Sequence, residues 1–288
     1  MSWYNYHSHS LYCDGKAEPE DFINIAIEKG FHSFGFSSHA PVPFPSKWNL
    51  PEGKLNDYID HIGRIKKIAN GRIQVYTGLE IDYIEGIWGR DNHHILNGEL
   101  DYFIGSIHYI GQFPDGSYFC FDGGNSDNFF HGIGTIYQNN YRRAITAYFH
   151  AEMKMLENDK PDIIGHMDKI KMHNGTLHYL NEEEQWYVNL VEELLDLIKQ
   201  TGCIVEVNTR GLYKHFPPVL YPSPWILKKA CQKNIPVIIN SDSHHPSEVD
   251  AGFKEAAVIL KQTGFKTLRV LLNNKWQDVG FDTEGLLI

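Results

Sequence analysis

The sequence predicts an α/β barrel of parallel strands, and three observations carry that prediction. Strand-like and helix-like segments alternate along the whole chain, with no Ser- or Pro-rich linker, repeat or low-complexity block between them. A length of 288 residues, 42% hydrophobic and 22% charged, suits one barrel domain spanning 1–288. Each of seven strand-like segments also runs into a polar side chain, six of them into histidine or carboxylate. Parallel barrel strands put all such ends on one rim, where barrel enzymes hold their active sites.

Trp3, Tyr4 and Tyr6 form an aromatic run that reads as a first strand leading to His7-Ser8-His9, with Asp14-Gly15 close behind. His7 and His9 are two apart, so on an extended backbone both imidazoles leave the same face. A helix is predicted from Pro19 to Lys29, with Phe22, Ile25 and Ala26 as its apolar stripe and Gly30 as its stop. Residues 34–38 read as the second strand, ending at His39, and a Pro-rich loop continues to Pro51. Leu55, Ile59, Ile62, Ile65 and Ile68 recur at helical spacing up to Gly71. Strands follow at 73–79, ending at Glu80, and at 102–107, ending at His108. A Gly- and aromatic-rich insertion at about 110–131 is too long for an ordinary barrel loop. One long helix is predicted at about 136–156, then a short strand at 163–165 ending at His166. A helix over 182–200 precedes a strand over 203–207 that ends at Asn208. A helix over 224–233 and a strand over 237–240 lead to Asp242-Ser243-His244. The last clear helix covers 247–262; residues 267–272 suggest a further strand, and the acidic tail carries no pattern.

The totals exclude several classes. Lys plus Arg number 26 against 36 Asp plus Glu, a net charge of −10, and no basic cluster stands out, which argues against nucleic acid as a partner. The four cysteines are far apart and form no CxxC pair, so neither a disulfide framework nor a thiolate zinc site is expected. No signal-peptide pattern and no apolar run of about 20 residues is present, so a cytoplasmic protein without a membrane partner is expected.

His7, His9, Asp14, His39, Glu80, His108, His166, Asp242 and His244 make nine candidate metal-binding side chains. One tetrahedral ion needs four ligands, or three and a water. Nine donors, with carboxylates able to bridge, suggest two or three ions. Mixed imidazole and carboxylate donors suit zinc, iron or manganese better than calcium or magnesium. Neighbouring ions of this kind can hold an activated hydroxide and clamp a phosphoryl group.

Seven short stretches carry a family resemblance. They are His7-Ser8-His9, Asp14-Gly15, Ser38-His39-Ala40, Gly78-Leu79-Glu80, Gly105-Ser106-Ile107-His108, Gly165-His166 and Ser241-Asp242-Ser243-His244. In type and order they resemble the motifs of the PHP (polymerase and histidinol phosphatase) superfamily. Ile163 to Asp168, Glu206 to Thr209 and Tyr221 to Pro224 resemble its histidinol-phosphate phosphatase branch. The resemblance implies a distorted (β/α)7 TIM-like barrel with three divalent metal ions at the C-terminal rim. The first ion would take His7, His9, Glu80 and Asp242, and the second Glu80 as a bridge, His108 and His166. The third would take Asp14, His39 and His244; some members of the family have histidine where this chain has Asp14.

The implied reaction is hydrolysis of L-histidinol phosphate to L-histidinol and phosphate in histidine biosynthesis, by attack of a metal-bridging hydroxide. Asp242, His244 and Arg210 are the candidate catalytic residues. Arg210 lies two residues past the sixth strand end, where it can grip a phosphate oxygen bidentately; Lys214, His215, Arg142 and Arg143 are weaker candidates for that role. In the insertion, Phe113, Tyr118, Phe119 and Phe121 either wall an imidazole-bearing substrate or pack their own core, the latter being the commoner fate of large apolar side chains. Asp115 and Asp122 are candidates to attract its ammonium group. His131 ends the insertion, and the pair His93-His94 reads as surface or core. The alternatives are a PHP-type phosphodiesterase or nuclease, a phosphatase for another small ester, and a non-catalytic PHP-like module. The oligomeric state is left open by the sequence.

Overall fold

A computed structural model of the chain describes residues 2–92, 100–122 and 126–288. In chain order its elements are β1 (Tyr4–Asn5), α1 (Pro19–Glu28), β2 (Ser33–Phe36), α2 (Leu55–Ala69), β3 (Gln74–Asp82), β4 (Tyr102–Ser106), β5 (Tyr109–Gln112) and β6 (Tyr118–Cys120). There follow α3 (Ser126–Tyr137), α4 (Tyr141–Asn158), β7 (Ile163–Ile164), α5 (Asn174–Leu177), α6 (Gln185–Thr201), β8 (Ile204–Asn208) and α7 (Arg210–Lys214). The last are α8 (Pro224–Gln232), β9 (Val237–Asn240), α9 (Phe253–Thr263), β10 (Thr267–Leu272), β11 (Lys275–Asp282) and β12 (Gly285–Leu286). The pair His93-His94 lies outside the described residues.

Seven strands run parallel in the order β1-β2-β3-β4-β7-β8-β9. This is the predicted α/β barrel, and its closure is irregular. Among the described residues β9 and β1 share no regular ladder. The seam is joined instead by Tyr6 N–H to Asn240 Oδ1 (2.9 Å) and Ile239 N–H to the Tyr4 hydroxyl (3.0 Å). Just past both strand ends, His9 N–H donates to Ser243 O (2.8 Å) and Ser243 N–H to His7 O (3.2 Å). The backbone thus zips shut next to His7, His9 and Asp242, which fixes those side chains relative to one another.

The barrel interior is filled by a wedge. Tyr102 is buried, and its hydroxyl donates to Tyr6 O (2.6 Å) and Phe36 O (3.1 Å). Its ring fits only because neighbouring strands present Gly35 and Gly78. A Cβ on Gly78 would lie 2.4 Å from Tyr102 Cζ. Gly78→Ala is therefore expected to destabilise the fold by about 1–3 kcal/mol, the usual cost of overpacking a core. The check is the urea unfolding midpoint at unchanged m-value.

The strand suggested at 267–272 is β10, and the tail after it, which carries no readable pattern, adds β11 and β12 to make an antiparallel sheet, β10-β11-β12. It covers the end of the barrel where the strands begin. Leu271 exchanges hydrogen bonds with the Tyr6 hydroxyl, Trp276 packs edge-on against the Tyr6 ring at 5.9 Å, and Asn273 N–H reaches Gln74 at the start of β3. With that end plugged, the opposite rim is left as the open mouth.

The helix predicted at 136–156 is α4, which starts at Tyr141; Ile136 and Tyr137 end a separate helix, α3. Gln138 and Asn139 adopt positive φ (54° and 62°) between them, and Asn140 caps α4 by accepting from Arg143 N–H. The insertion is a β5–β6 hairpin followed by the first turns of α3, which carries His131 stacked on Phe113. Strand β3 does not stop at Leu79. Glu80, Ile81 and Asp82 still pair with Ile104, Gly105 and Ser106, so Glu80 projects from within the strand. Asn208 likewise belongs to β8. Helix α6 starts at Gln185 and stops at Gly202 in the left-handed conformation (φ 76°), while α9 starts at Phe253 rather than Ser247. Among the described residues no helix is long and apolar enough to cross a membrane.

Candidate metal centre at the C-terminal rim

All nine predicted donors converge at the open mouth. Glu80 stands at their middle. Its Oε2 lies 3.2 Å from His7 Nε2, 3.6 Å from His9 Nε2 and 2.8 Å from His39 Nδ1. Its Oε1 faces His166 Nε2 at 3.1 Å and His108 Nε2 at 3.6 Å, and accepts a hydrogen bond from the Ser106 hydroxyl at 2.6 Å. Asp242 Oδ1 lies 3.4 Å from His9 Nε2, 3.5 Å from His244 Nδ1 and 3.8 Å from His7 Nε2. On the outer side Asp14 meets His244 Nε2 at 3.1 Å, His39 Nε2 at 3.8 Å and His9 Nδ1 at 4.0 Å. The His9 ring is stacked between those of His39 and His244, with centroids 4.1 and 4.2 Å away.

Local backbone explains the placement. Gly15 follows Asp14 because any Cβ there would sit 2.1 Å from the His9 carbonyl oxygen. The tight turn brings Asp14 back beside the first strand's histidines. His166 and Asp242 hold positive φ (22° and 52°), a conformation that L-residues with side chains seldom adopt. Such backbone strain gathers at functional sites, where surrounding contacts over-determine it.

The donor set fits divalent cations. His7 Nε2, His9 Nε2, His39 Nδ1, Asp14 Oδ1 and Glu80 Oε2 are all buried and have no hydrogen-bond partner. Buried polar atoms nearly always have one, and these five face one cage; other such atoms, among them both Glu152 carboxylate oxygens, belong to other clusters. Ligand atoms of His9, Asp14, His39 and His244 lie within 4.8 Å of one another, as do those of His7, His9 and Asp242, and those of His39, Glu80 and His108. Electrostatics agree. Burial disfavours the Glu80 carboxylate, yet His7, His39 and His108 hold it well below the usual carboxylate range. Burial and the adjoining His39 and His244 push His9 well below the usual imidazole range, leaving a neutral ring with lone pairs to donate.

Outside the cage, carboxylates grip the far sides of two imidazoles. Glu206 Oε1 meets His7 Nδ1 at 2.6 Å, and Asp82 Oδ1 meets His108 Nδ1 at 2.8 Å. Each contact turns the other ring nitrogen inward as a ligand and raises its basicity. Glu206 is fully buried and also accepts from His166 N–H and from the Asn208 and Asn240 side-chain amides. We expect Glu206→Gln to weaken cation affinity by about 10- to 100-fold, as loss of such outer partners does; equilibrium dialysis against a buffered metal series measures it. Neither Glu206 nor Asp82 was singled out from the sequence as part of the site. The signal for Glu206 was present, since a lone carboxylate interrupts the apolar run of β8.

The cage floors a cavity of about 490 Å³. Arg210, at the start of α7, lines it and donates from Nη1 to Asp242 O (2.7 Å). Lys214 and His215 also line the cavity. Arg142 does not, being stacked over Trp186, and Asp115 is exposed and held by Ser117. Phe119 and Phe121 are buried and pack against Phe129 and Tyr148, so these two aromatics of the insertion build core. Asp122 does reach the cavity, opposite Lys169, a residue without an assigned role at the sequence level.

Fold and site together define a TIM-like barrel that carries a cage of cation donors on its C-terminal rim. The PHP domain model matches residues 5–210, and the chain belongs to that family. Histidinol-phosphatase of Bacillus subtilis (strain 168) is 28% identical over 266 residues, covering 86% of this chain and 96% of the relative. A solved chain from Listeria monocytogenes superposes with a TM-score of 0.79 at 22% identity, covering 88% of this chain and 99% of that one. The histidinol phosphate phosphatase of Lactococcus lactis subsp. lactis, solved with zinc, L-histidinol and phosphate, superposes at 0.69 with 19% identity, covering 99% and 98%.

Proposed function

We propose that this protein hydrolyses L-histidinol phosphate to L-histidinol and inorganic phosphate with a centre of three divalent cations. The observation that carries the proposal is the cluster of buried imidazole and carboxylate atoms that crowd one another without a hydrogen bond beneath an open cavity. The relatives named histidinol-phosphatase, which match along nearly the whole chain, support the choice of ester.

His7, His9, Glu80 and Asp242 would hold the first cation, Glu80, His108 and His166 the second, and Asp14, His39 and His244 the third. Zinc, iron and manganese suit this donor set. When bound, such cations lower the pKa of water toward neutrality and take up charge on phosphoryl oxygens. The chain's own residues do the rest. Glu206 and Asp82 hold the His7 and His108 rings in one orientation. Asp242 is fixed from outside, its carbonyl by Arg210 and its Oδ2 by the Asn208 amide at 3.2 Å. Arg210 stays charged at any working pH and turns its remaining donors toward phosphoryl oxygens.

The test pairs elemental analysis of protein purified without chelator with phosphate release from L-histidinol phosphate and cleavage of a short single-stranded DNA. Two to three equivalents of transition metal and turnover of the monoester are expected. Preference for the DNA would replace the substrate and leave the cage in place.

A further inference from the structure

Lys169 and Asp122 meet over the cage from different parts of the fold. Lys169 follows β7 and His166; Asp122 closes the β5–β6 insertion. Their contact is 2.7 Å. Lys169 Nζ also lies 3.9 Å from Asp242 Oδ2, and Asp122 Oδ2 lies 3.8 Å from His108 Nε2. The pair therefore spans the cavity immediately above the donor cage. Lys169 is 6% exposed, so its ammonium has exchanged most of its water for these carboxylates. A buried cation and a partly exposed anion whose shortest charged contact is with each other, on the wall of a binding cavity, are poised to take a ligand carrying both charges.

We infer that the Lys169–Asp122 ion pair is exchanged for substrate, Lys169 taking the phosphoryl group and Asp122 an ammonium on the alcohol side of the ester. The site would then select phosphomonoesters of β-amino alcohols, whose ammonium sits two carbons from the ester oxygen. This rests on the histidinol phosphate reading and explains how that ester is told from simpler ones. One consequence needs no variant. Opening the pair costs free energy once. Whichever of phosphate or amino alcohol binds first bears that cost, so the second binds more tightly.

The first experiment is double inhibition of wild-type, metal-loaded enzyme by inorganic phosphate and L-histidinol. Each is expected to tighten the other's inhibition by at least about fivefold, within the usual range of coupling between sites. Independent or mutually exclusive inhibition overturns the exchange. The second compares L-histidinol phosphate with its desamino analogue, 3-(imidazol-4-yl)propyl phosphate, in wild type, Asp122→Asn and Lys169→Gln. In Asp122→Asn the ratio of kcat/KM for the two esters is expected to fall by about tenfold, the loss of one charge-assisted contact. In Lys169→Gln both values fall and the ratio holds. Equal losses on both esters in Asp122→Asn, or loss of bound metal there, would make Asp122 part of the cage and overturn the inference. If wild-type enzyme turns over neither ester but cleaves another phosphate, the substrate reading itself has failed.

Discussion

Glu80→Gln is expected to lower kcat/KM by at least about 100-fold while leaving the barrel folded. Glu80 faces five imidazoles, three through Oε2 and two through Oε1. No other carboxylate of the site faces so many. The amide has nearly the same shape, so packing is kept. It removes the negative charge that balances the cations and replaces one ligand oxygen by an NH2 group, which has no lone pair to offer a cation. Losing an outer partner of a ligand costs about 10- to 100-fold in affinity or activity, and a carboxylate that itself faces the cations should cost more. The measurement is steady-state phosphate release together with far-UV circular dichroism and bound metal per chain. Wild-type kcat/KM with full metal occupancy would remove Glu80 from the mechanism.

The donors themselves were legible because a barrel turns a one-dimensional pattern into a ring. His7, His39, His108, His166 and Asp242 each follow an apolar run, and parallel strands bring all such ends to one rim. What the sequence concealed depends on contacts between distant segments. Glu206 is separated from His7 by 199 positions, and nothing near either residue indicates the pairing. Lys169 looks like an ordinary turn lysine until Asp122 is set against it from an insertion 47 positions earlier, whose Pro114-Asp115-Gly116 turn marks a hairpin but not where the hairpin docks. Element ends slipped for a related reason. The sequence places Glu80 past its strand, but β3 continues because β4 offers partners through Asp82, and pairing is a property of the neighbour. The tail beyond β10 carries no readable pattern because Phe281 is the one buried residue of β11, so the apolar alternation that marks a half-buried strand is weak there.

Removing the cations is expected to abolish turnover, and restoring zinc, iron or manganese to recover it. It should also lower the thermal midpoint by roughly 8–16 °C. A cation that binds only the folded chain at about 1,000 times its Kd stabilises it by about 4 kcal/mol, and for domains of this size each kcal/mol moves the midpoint by about 2–4 °C. The pH dependence has a definite sign. In the cation-free chain burial opposes a charged His108, but Asp82 and Glu80 hold its pKa up at about 9. Burial likewise opposes a charged His7, and Glu206, Glu80 and Asp242 together hold it well above the usual imidazole range. Both rings therefore carry a proton at neutral pH that a cation must displace. Affinity should rise with pH by about tenfold per unit for each proton released, and level off for His108 above its pKa. Isothermal titration of chelator-stripped protein with zinc between pH 6 and 8, in two buffers of different ionisation enthalpy, counts those protons. An affinity that stays flat over that interval would mean that His7 and His108 are already neutral when the cations arrive, and that Glu206 and Asp82 orient the rings without charging them.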